Sequence, residues 1–231
     1  MTEKLNYVSL GDSIATGTLT PFSSIPTYVF YLRKRLYDKG YKTTVYNLAR
    51  DGDTSRDLLW KINHAAGFRK IIEKADVITL SIGGNDLMRS ASIPGFTSIN
   101  VHMAEFGARD FIRNWPKIID GIRTINKEAK MIVLNLYNPY NSTRSLGRDY
   151  YNDRNLCELT DRFLVQMNEA IDAYSENNYM IADVYARFKN FSNGNMYRVS
   201  CLYPSSLLRN PHPSPGAQKI MTDLIFDRIQ A

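Results

Sequence analysis

The sequence predicts an α/β protein with a three-layer α/β/α sandwich architecture. Short apolar segments, each followed by glycine or polar residues, alternate along the chain with longer segments whose apolar residues recur at helical spacing. Such alternation requires right-handed crossovers between parallel strands and a sheet that helices cover on both faces. With 231 residues, of which 44% are hydrophobic, the chain can bury a full core, and we expect one domain spanning residues 1–231.

Five parallel strands and five helices account for the pattern. The strands are predicted at residues 5–10, 43–48, 76–82, 131–136 and 179–182. The helices are predicted at about residues 28–39, 55–63, 106–127, 153–176 and 215–229. The last helix has a favourable start, because Ser214 can cap it and Pro215 suits its first position.

Three long connections are expected to shape a binding site, since long loops in compact domains are often lids or binding segments. The first, residues 89–105, contains proline, glycine and small polar residues. The second, residues 138–152, mixes tyrosine with arginine, a composition that suits sugars or polar head groups, although loop tyrosines also pack locally. The third, residues 191–210, carries large apolar residues that form either an acyl-binding wall or a cover for the core.

Ser13 stands directly after the first predicted strand, in the run V-S-L-G-D-S-I-A-T-G. The carboxyl ends of the strands form the ligand crevice of an open parallel sheet, which makes Ser13 the best candidate nucleophile. Taken alone, the run is better explained by two turn residues, Gly11 and Asp12, and by a serine that caps a helix. The functional interpretation therefore depends on residues further along the chain.

Three further short segments follow in order. Gly52 comes after the second predicted strand and its loop, I-G-G-N-D supplies Asn85 after the third strand, and N-P-H-P-S-P-G supplies His212 ahead of the last helix. Together with G-D-S-I at residues 11–14, these segments resemble the four blocks of the GDSL, or SGNH, family of esterases and lipases. The resemblance implies the SGNH-hydrolase fold, with a flavodoxin-like strand order.

The resemblance also implies a serine-esterase site. Ser13 would be the nucleophile and His212 the general base, because a serine hydroxyl attacks well only when a neighbouring group removes its proton. The backbone amides of Ser13 and Gly52 and the side-chain amide of Asn85 would hold the oxyanion, and glycine at position 52 would leave no Cβ in the way. Asp12 is assigned to the turn, because a neighbour of Ser13 is badly placed to reach the far ring nitrogen of His212.

The chain departs from the family pattern at the residue three positions before the histidine. The family usually has an aspartate there, which orients the imidazole, whereas this chain has Arg209. The neighbouring Asn210, a backbone carbonyl or a distant aspartate such as Asp183 could orient the ring instead. Arg209 itself would either weaken the base, if its guanidinium faces the imidazole, or bind an anionic group of the substrate.

These observations predict a hydrolase that cleaves carboxylic esters through an acyl-Ser13 intermediate and needs no cofactor. The substrate is expected to be a small-molecule ester: an acyl ester, an acetylated sugar or a lysophospholipid. One alternative is a family member whose catalysis is impaired or lost, with Arg209 in place of the aspartate, and which binds a ligand. A remote alternative is a flavin-binding module, since the hydroxyl-rich run at residues 13–18 also resembles the phosphate loop of flavodoxins.

Composition favours neither nucleic acid, metal nor membrane as a partner. The 29 lysines and arginines and the 23 acidic residues give a net charge of +6. The basic residues are scattered, with the densest cluster at residues 33–35 on a predicted helix. The two cysteines, Cys157 and Cys201, and the three histidines have no metal-ligand spacing. No apolar stretch approaches the roughly twenty residues of a membrane span, and no signal peptide is visible, so we expect a cytoplasmic protein, or a secreted one if a signal was removed.

Overall fold

A five-stranded parallel sheet forms the centre of the structure. The structure is a computed structural model, and it describes residues 3–20, 23–92, 97–140, 150–191 and 211–230. Its strands in chain order are β1 (Glu3–Gly11), β2 (Thr18–Thr20), β3 (Ser23–Ser24), β4 (Tyr41–Asn47), β5 (Val77–Ser81), β6 (Lys130–Leu134) and β7 (Met180–Ala182). The short strands β2 and β3 pair with each other as an antiparallel ribbon, and the other strands make the sheet.

Helices connect the strands of the sheet. Within the described ranges they are α1 (Ser13–Thr16), α2 (Tyr28–Asp38), α3 (Ser55–His64), α4 (Ala66–Glu73), α5 (Gly84–Met88), α6 (Val101–Ile125), α7 (Tyr150–Ala173), α8 (Val184–Phe191) and α9 (Pro215–Gln230). The sequence did not predict α1, α4, α5 and α8, because each has eight residues or fewer and shows too few turns of apolar periodicity. The start of α9 is confirmed, since the Ser214 hydroxyl accepts a hydrogen bond from the backbone amide of Ala217 at 3.2 Å.

The order of strands in the sheet is β4-β1-β5-β6-β7, and every pairing is parallel. The chain passes from β1 to the edge strand β4 and then returns across β1 to β5, so the direction of winding reverses between β1 and β5. In sheets of this kind the ligand crevice lies beyond the carboxyl ends of the strands at that point. The predicted α/β fold with a flavodoxin-like strand order is therefore confirmed.

Two apolar cores lie on opposite faces of the sheet. Neighbouring residues of a strand point to opposite faces, so Tyr7 and Val77 belong to one core while Val8 and Ile78 belong to the other. Helices α2, α8 and α9 contribute to the first core, and α3, α4, α6 and α7 contribute to the second. The layers are thus helix, sheet and helix, as predicted.

The connections that were expected to be long loops are partly helical. Helix α6 begins at Val101 rather than at residue 106, because Asn100 caps it by accepting a hydrogen bond from the amide of Met103 at 3.1 Å. The first connection is therefore shorter than predicted. In the second connection, residues 150–152 already belong to α7. In the third, residues 192–210 lie outside the described residues.

Candidate active site

Ser13 is the first residue of α1, directly beyond the carboxyl end of β1. Gly11 has a φ of +144°, and a Cβ there would lie 2.1 Å from the carbonyl oxygen of Ser81 in β5, so only glycine lets the two strand ends approach this closely. Asp12 caps α1, because its carboxylate accepts a hydrogen bond from the amide of Ile14 at 3.0 Å. The assignment of Asp12 to the turn is confirmed, and the turn places Ser13 at the sheet edge.

The carboxyl group of Asp12 is buried, with 2% of the residue exposed. Burial raises the pKa of Asp12 from 3.8 to about 7, the hydrogen bond from Ile14 opposes the rise, and the charges of Asp86 and Asp53 add to it. A large fraction of Asp12 is therefore protonated at neutral pH, which limits the negative charge beside Ser13.

His212 brings the other end of the chain to Ser13. Its Nε2 lies 2.7 Å from the Oγ of Ser13, although the two residues are 199 positions apart in the sequence. Burial lowers the pKa of His212 below its ordinary value of 6.5, and the carboxylate of Asp51 partly opposes this effect. The imidazole is therefore mainly neutral at neutral pH, which is the form that can accept a proton from a hydroxyl.

Asn85 lies at the start of α5, beyond the carboxyl end of β5. The turn before it needs glycine at position 83, because Gly83 has a φ of +119° and a Cβ there would lie 2.6 Å from the ring of Phe111. The side-chain amide of Asn85 donates a hydrogen bond to the carbonyl oxygen of Asp53 at 2.9 Å. Because an amide nitrogen carries two hydrogens, Asn85 can donate the second one to a ligand.

Gly52 lies in the loop between β4 and α3, one residue before Asp53. Its φ is +77°, a conformation that favours glycine, whereas a Cβ at this position would meet no described atom within 4 Å. Backbone conformation, and not crowding by the protein, therefore explains why position 52 is glycine. The approach of an oxyanion to the amide of Gly52 stays a prediction.

A buried hydrogen-bond network joins this loop to α5. The carboxylate of Asp86 accepts hydrogen bonds from the amide of Ser55 at 2.9 Å and from its hydroxyl at 2.6 Å, and Asn114 donates to the same hydroxyl at 3.1 Å. Burial raises the pKa of Asp86 to about 6, against the effect of the two bonds from Ser55. Because Ser55 is the first residue of α3, the network holds the loop of Gly52 against the turn that carries Asn85.

An apolar pocket with a volume of about 140 Å³ adjoins these residues. Ser13, Asn85 and His212 are among the described residues that line it, whereas Gly52 is not. Its remaining wall is largely apolar and comes from α5, α6, α7 and the chain after β6, including Leu87, Ala104, Leu136, Phe163 and Leu164. The pocket can therefore take an apolar group next to the hydroxyl of Ser13.

Three other residues were considered from the sequence as groups that could act on His212. Two of them lie outside the described residues, and the third bonds other groups. Arg209 and Asn210 lie outside the described residues. Asp183 caps α8, since its carboxylate accepts hydrogen bonds from the amide of Ala186 at 3.0 Å and from the side chain of Asn135 at 2.8 Å.

Within the described ranges, no three His, Cys, Asp or Glu side chains are grouped to hold a metal ion. No helix of those ranges has the length and apolar content of a membrane span.

Sequence reasoning missed two acidic residues of the site. Asp51 directly precedes Gly52 and acts on the pKa of His212, and Asp86 directly follows Asn85 and supports the Gly52 loop. Adjacency to the motif residues is the signal that could have indicated both. The apolar wall formed by α5, α6 and α7 was not predicted from the sequence either, because helix periodicity does not distinguish a face that packs in the core from one that lines a pocket.

The fold and the site together define a class of protein. A serine hydroxyl, a neutral imidazole and a side-chain amide surround one pocket at the carboxyl edge of a parallel sheet, as in hydrolases with an α/β/α sandwich fold. The chain belongs to the GDSL-like Lipase/Acylhydrolase family, whose model matches residues 9–216. The matched region contains all four segments that resembled the family blocks.

Individual relatives share part of the sequence or the fold. The uncharacterized protein YpmR of Bacillus subtilis is 32% identical over 145 residues, which are 62% of this chain and 55% of YpmR, so the match spans little more than half of that relative. The spore germination lipase LipC of Bacillus licheniformis is 27% identical over 190 residues, covering 80% of this chain and 82% of LipC. The crystal structure of the lipase Lip_vut3 from a goat rumen metagenome is similar in fold, with a TM-score of 0.72, 24% identity and 97% of each chain covered.

Proposed function

We propose that this protein is a carboxylic ester hydrolase that works through an acyl-Ser13 intermediate. The observation that carries the proposal is the 2.7 Å distance between the Oγ of Ser13 and the Nε2 of His212. At this distance the imidazole can take the proton of the hydroxyl while the oxygen attacks an ester carbonyl. Membership of a lipase and acylhydrolase family supports the same reaction class.

The proposed reaction begins when the Oγ of Ser13 bonds to the carbonyl carbon and its proton passes to His212. The carbonyl oxygen becomes negative and is held by the backbone amides of Ser13 and Gly52 and by the second amide hydrogen of Asn85. The bond to the leaving alcohol then breaks, and His212 gives its proton to that alcohol. A water molecule, deprotonated by His212, finally attacks the acyl carbon. The bond from that carbon to the Oγ of Ser13 breaks, His212 returns the proton to this oxygen, and the acid is released.

The pocket favours esters with an apolar acyl group over esters with a polar one. Its volume of about 140 Å³ is close to that of a cavity that holds benzene, so we expect it to accommodate about six non-hydrogen atoms. Acyl chains of roughly four to eight carbons fit this space if the ends of longer chains extend towards the opening. The alcohol part, whether a sugar, a glycerol derivative or a simple alcohol, would lie on the solvent side of Ser13.

The proposal is tested with a fluorophosphonate probe and the p-nitrophenyl esters of acetate, butyrate, hexanoate, octanoate and dodecanoate. We expect the wild type to react with the probe and to hydrolyse hexanoate better than acetate or dodecanoate. Ser13→Ala should lose both reactions, because the attacking oxygen is absent. Ser175 follows α7, and its hydroxyl donates a hydrogen bond to the carbonyl oxygen of Asp172. The control variant Ser175→Ala removes this hydroxyl and should retain both reactions.

A wild-type protein that neither reacts with the probe nor hydrolyses any ester would contradict the proposal. The ligand-binding alternative, which rests on Arg209 at the position of the usual aspartate, would then be favoured. Family membership gives no support to the flavin-binding alternative.

A further inference from the structure

Gln218 joins the helix that follows His212 to the turn that carries Ser13. The residue lies near the start of α9 and is 1% exposed. Its Nε2 donates a hydrogen bond to the carbonyl oxygen of Ile14 at 3.1 Å, and Ile14 directly follows Ser13 in α1. The two ends of the chain are thus connected by a side chain outside the Ser13–His212 pair.

The other end of the same amide is also bonded. The Oε1 of Gln218 accepts a hydrogen bond from the amide of Tyr28 at 2.8 Å. Tyr28 is the first residue of α2, and the preceding Thr27 makes no side-chain capping bond. Because the first amides of a helix have no partner within it, Gln218 supplies one from another part of the chain. With both ends of the amide bonded to backbone, the side chain has one well-defined position.

Hydrogen bonds and two prolines constrain the segment between Gln218 and His212. The carbonyl oxygen of Ser214 accepts a hydrogen bond from the amide of Gln218 at 2.9 Å, and the hydroxyl of Ser214 caps α9. Ser214 stands between two prolines, whose rings restrict the backbone. A displacement of α9 relative to α1 would therefore be passed on to His212.

Tyr137 holds the chain on the other side of His212. Its hydroxyl donates a hydrogen bond to the carbonyl oxygen of Pro211 at 2.6 Å. Its ring packs edge-on against Phe188 of α8, with 5.2 Å between the ring centroids. Contacts on both sides of His212 thus connect its loop to the carboxyl edge of the sheet.

We infer that Gln218 and Tyr137 are positioning residues that keep the imidazole of His212 at hydrogen-bond distance from the hydroxyl of Ser13. This inference rests on the proposed function. Misplacement of reacting groups by about 1 Å can cost about a hundredfold in rate, whereas binding of an acyl group in the apolar pocket does not require the Ser13–His212 contact. Loss of the Gln218 contacts should therefore lower kcat and leave KM nearly unchanged. Tyr137 also lines the pocket, so for Tyr137 only the loss of rate is expected.

The test uses the full chain and two variants of similar shape to the wild type, Gln218→Met and Tyr137→Phe. The first removes both amide bonds, and the second removes one hydroxyl while keeping the ring that packs on Phe188. We expect Gln218→Met to lower kcat for p-nitrophenyl hexanoate and the rate of fluorophosphonate labelling by about tenfold or more, with KM changed less than about twofold. Tyr137→Phe should lower the same two rates severalfold.

A matched control separates positioning from stability. Asn126 is another buried amide, but it donates to the carbonyl oxygens of Ile72 and Ala75 at the amino edge of the sheet, at 2.8 and 2.9 Å. We expect Asn126→Leu to lower the melting temperature as Gln218→Met does and to keep the wild-type kcat.

Coupling to His212 provides the decisive readout. If Gln218 acts through His212, Gln218→Met should cause no further loss of labelling rate in a His212→Ala background. Equal losses in the two backgrounds, or a kcat within about twofold of wild type for both Gln218→Met and Tyr137→Phe, would overturn the inference. If Gln218→Met does not fold, Tyr137→Phe decides by the same two measurements. An inactive wild type would contradict the proposed function itself, whereas an active wild type with unaffected variants would contradict only the positioning roles.

Discussion

At the scale of single residues, the chemistry of His212 depends on two opposing influences. Burial lowers the pKa of the imidazole, and the carboxylate of Asp51 raises it by a smaller amount. Asp51 also accepts a hydrogen bond from the hydroxyl of Thr16, which lies in the same short helix as Ser13. Asp51 therefore supplies negative charge that favours the protonated imidazole, an effect that the usual triad aspartate would also have.

This balance sets the pH at which activity should be lost on acidification. Because the general base must be neutral, we expect the acid limb of the kcat/KM profile to have its midpoint below 6.5, the ordinary pKa of histidine. Asp51→Asn removes the charge that raises the pKa of His212, so the midpoint should move to still lower pH. The control Asp227→Asn changes an exposed carboxylate on α9 and should leave the profile unchanged. A midpoint that rises or stays constant in Asp51→Asn would show that Asp51 does not act on the imidazole.

At the scale of elements, helix α6 contributes both to the pocket and to the core. Ala104 lines the pocket, whereas Ala108, one turn later, packs in the core without lining it, and each is 1% exposed. Ala104→Val should narrow the pocket and lower the ratio of kcat/KM for hexanoate to that for butyrate severalfold. Ala108→Val adds the same atoms to the core and should leave this ratio unchanged, while both variants lose up to about 1–3 kcal/mol of stability through overpacking. The measurement is a chain-length profile with p-nitrophenyl esters, and equal profiles for the two variants would contradict an acyl-binding role of the pocket.

The length of an element decides whether the sequence predicts it. All strands of the sheet and the long helices were predicted, because their apolar patterns extend over several residues and end at glycine, proline or capping residues. Short helices such as α5 have too few residues to show a period. The contact between Ser13 and His212 was predicted from two motifs, and the structure has it at 2.7 Å.

The bonds that support this contact could not be predicted in the same way. Gln218 reaches Ile14 across 204 positions and Tyr28 across 190, and neither pair forms a local pattern. Residues 191–210 were expected to form either an acyl-binding wall or a cover for the core, and residues 192–210 lie outside the described residues. The described part of the pocket wall comes largely from helices whose apolar faces look like ordinary core. Tertiary contacts of this kind follow from the arrangement of elements and not from the spacing of residues within one element.

At the scale of the whole molecule, the buried carboxyl groups near the site make the stability of the fold depend on pH. Burial raises the pKa of Asp12 from 3.8 to about 7 and that of Asp86 from 3.8 to about 6. Between about pH 4 and pH 7 the folded state therefore keeps protons that the unfolded chain releases, so the free energy of unfolding falls as the pH rises. His212 has the opposite effect, because its lowered pKa costs stability when the pH falls below about 6.5.

We expect Asp12→Asn to remove much of the loss of stability at high pH. Asparagine caps helices as well as aspartate does, so the hydrogen bond from Ile14 is kept while no buried charge forms. Measured by urea denaturation, the free energy of unfolding of Asp12→Asn should exceed that of the wild type at about pH 8 and approach it at about pH 5. Asp57→Asn is the matched control, because the effect of burial on the pKa of Asp57 is outweighed by bonds from Thr54 and by the charge of Arg89, which lower this pKa overall. This substitution should therefore lower the free energy of unfolding by a similar amount at both pH values. If Asp12→Asn instead lost stability relative to the wild type as the pH rose, the ionised carboxylate of Asp12 would be stabilised by its surroundings, and the buried turn beneath the nucleophile would not be the source of the pH dependence.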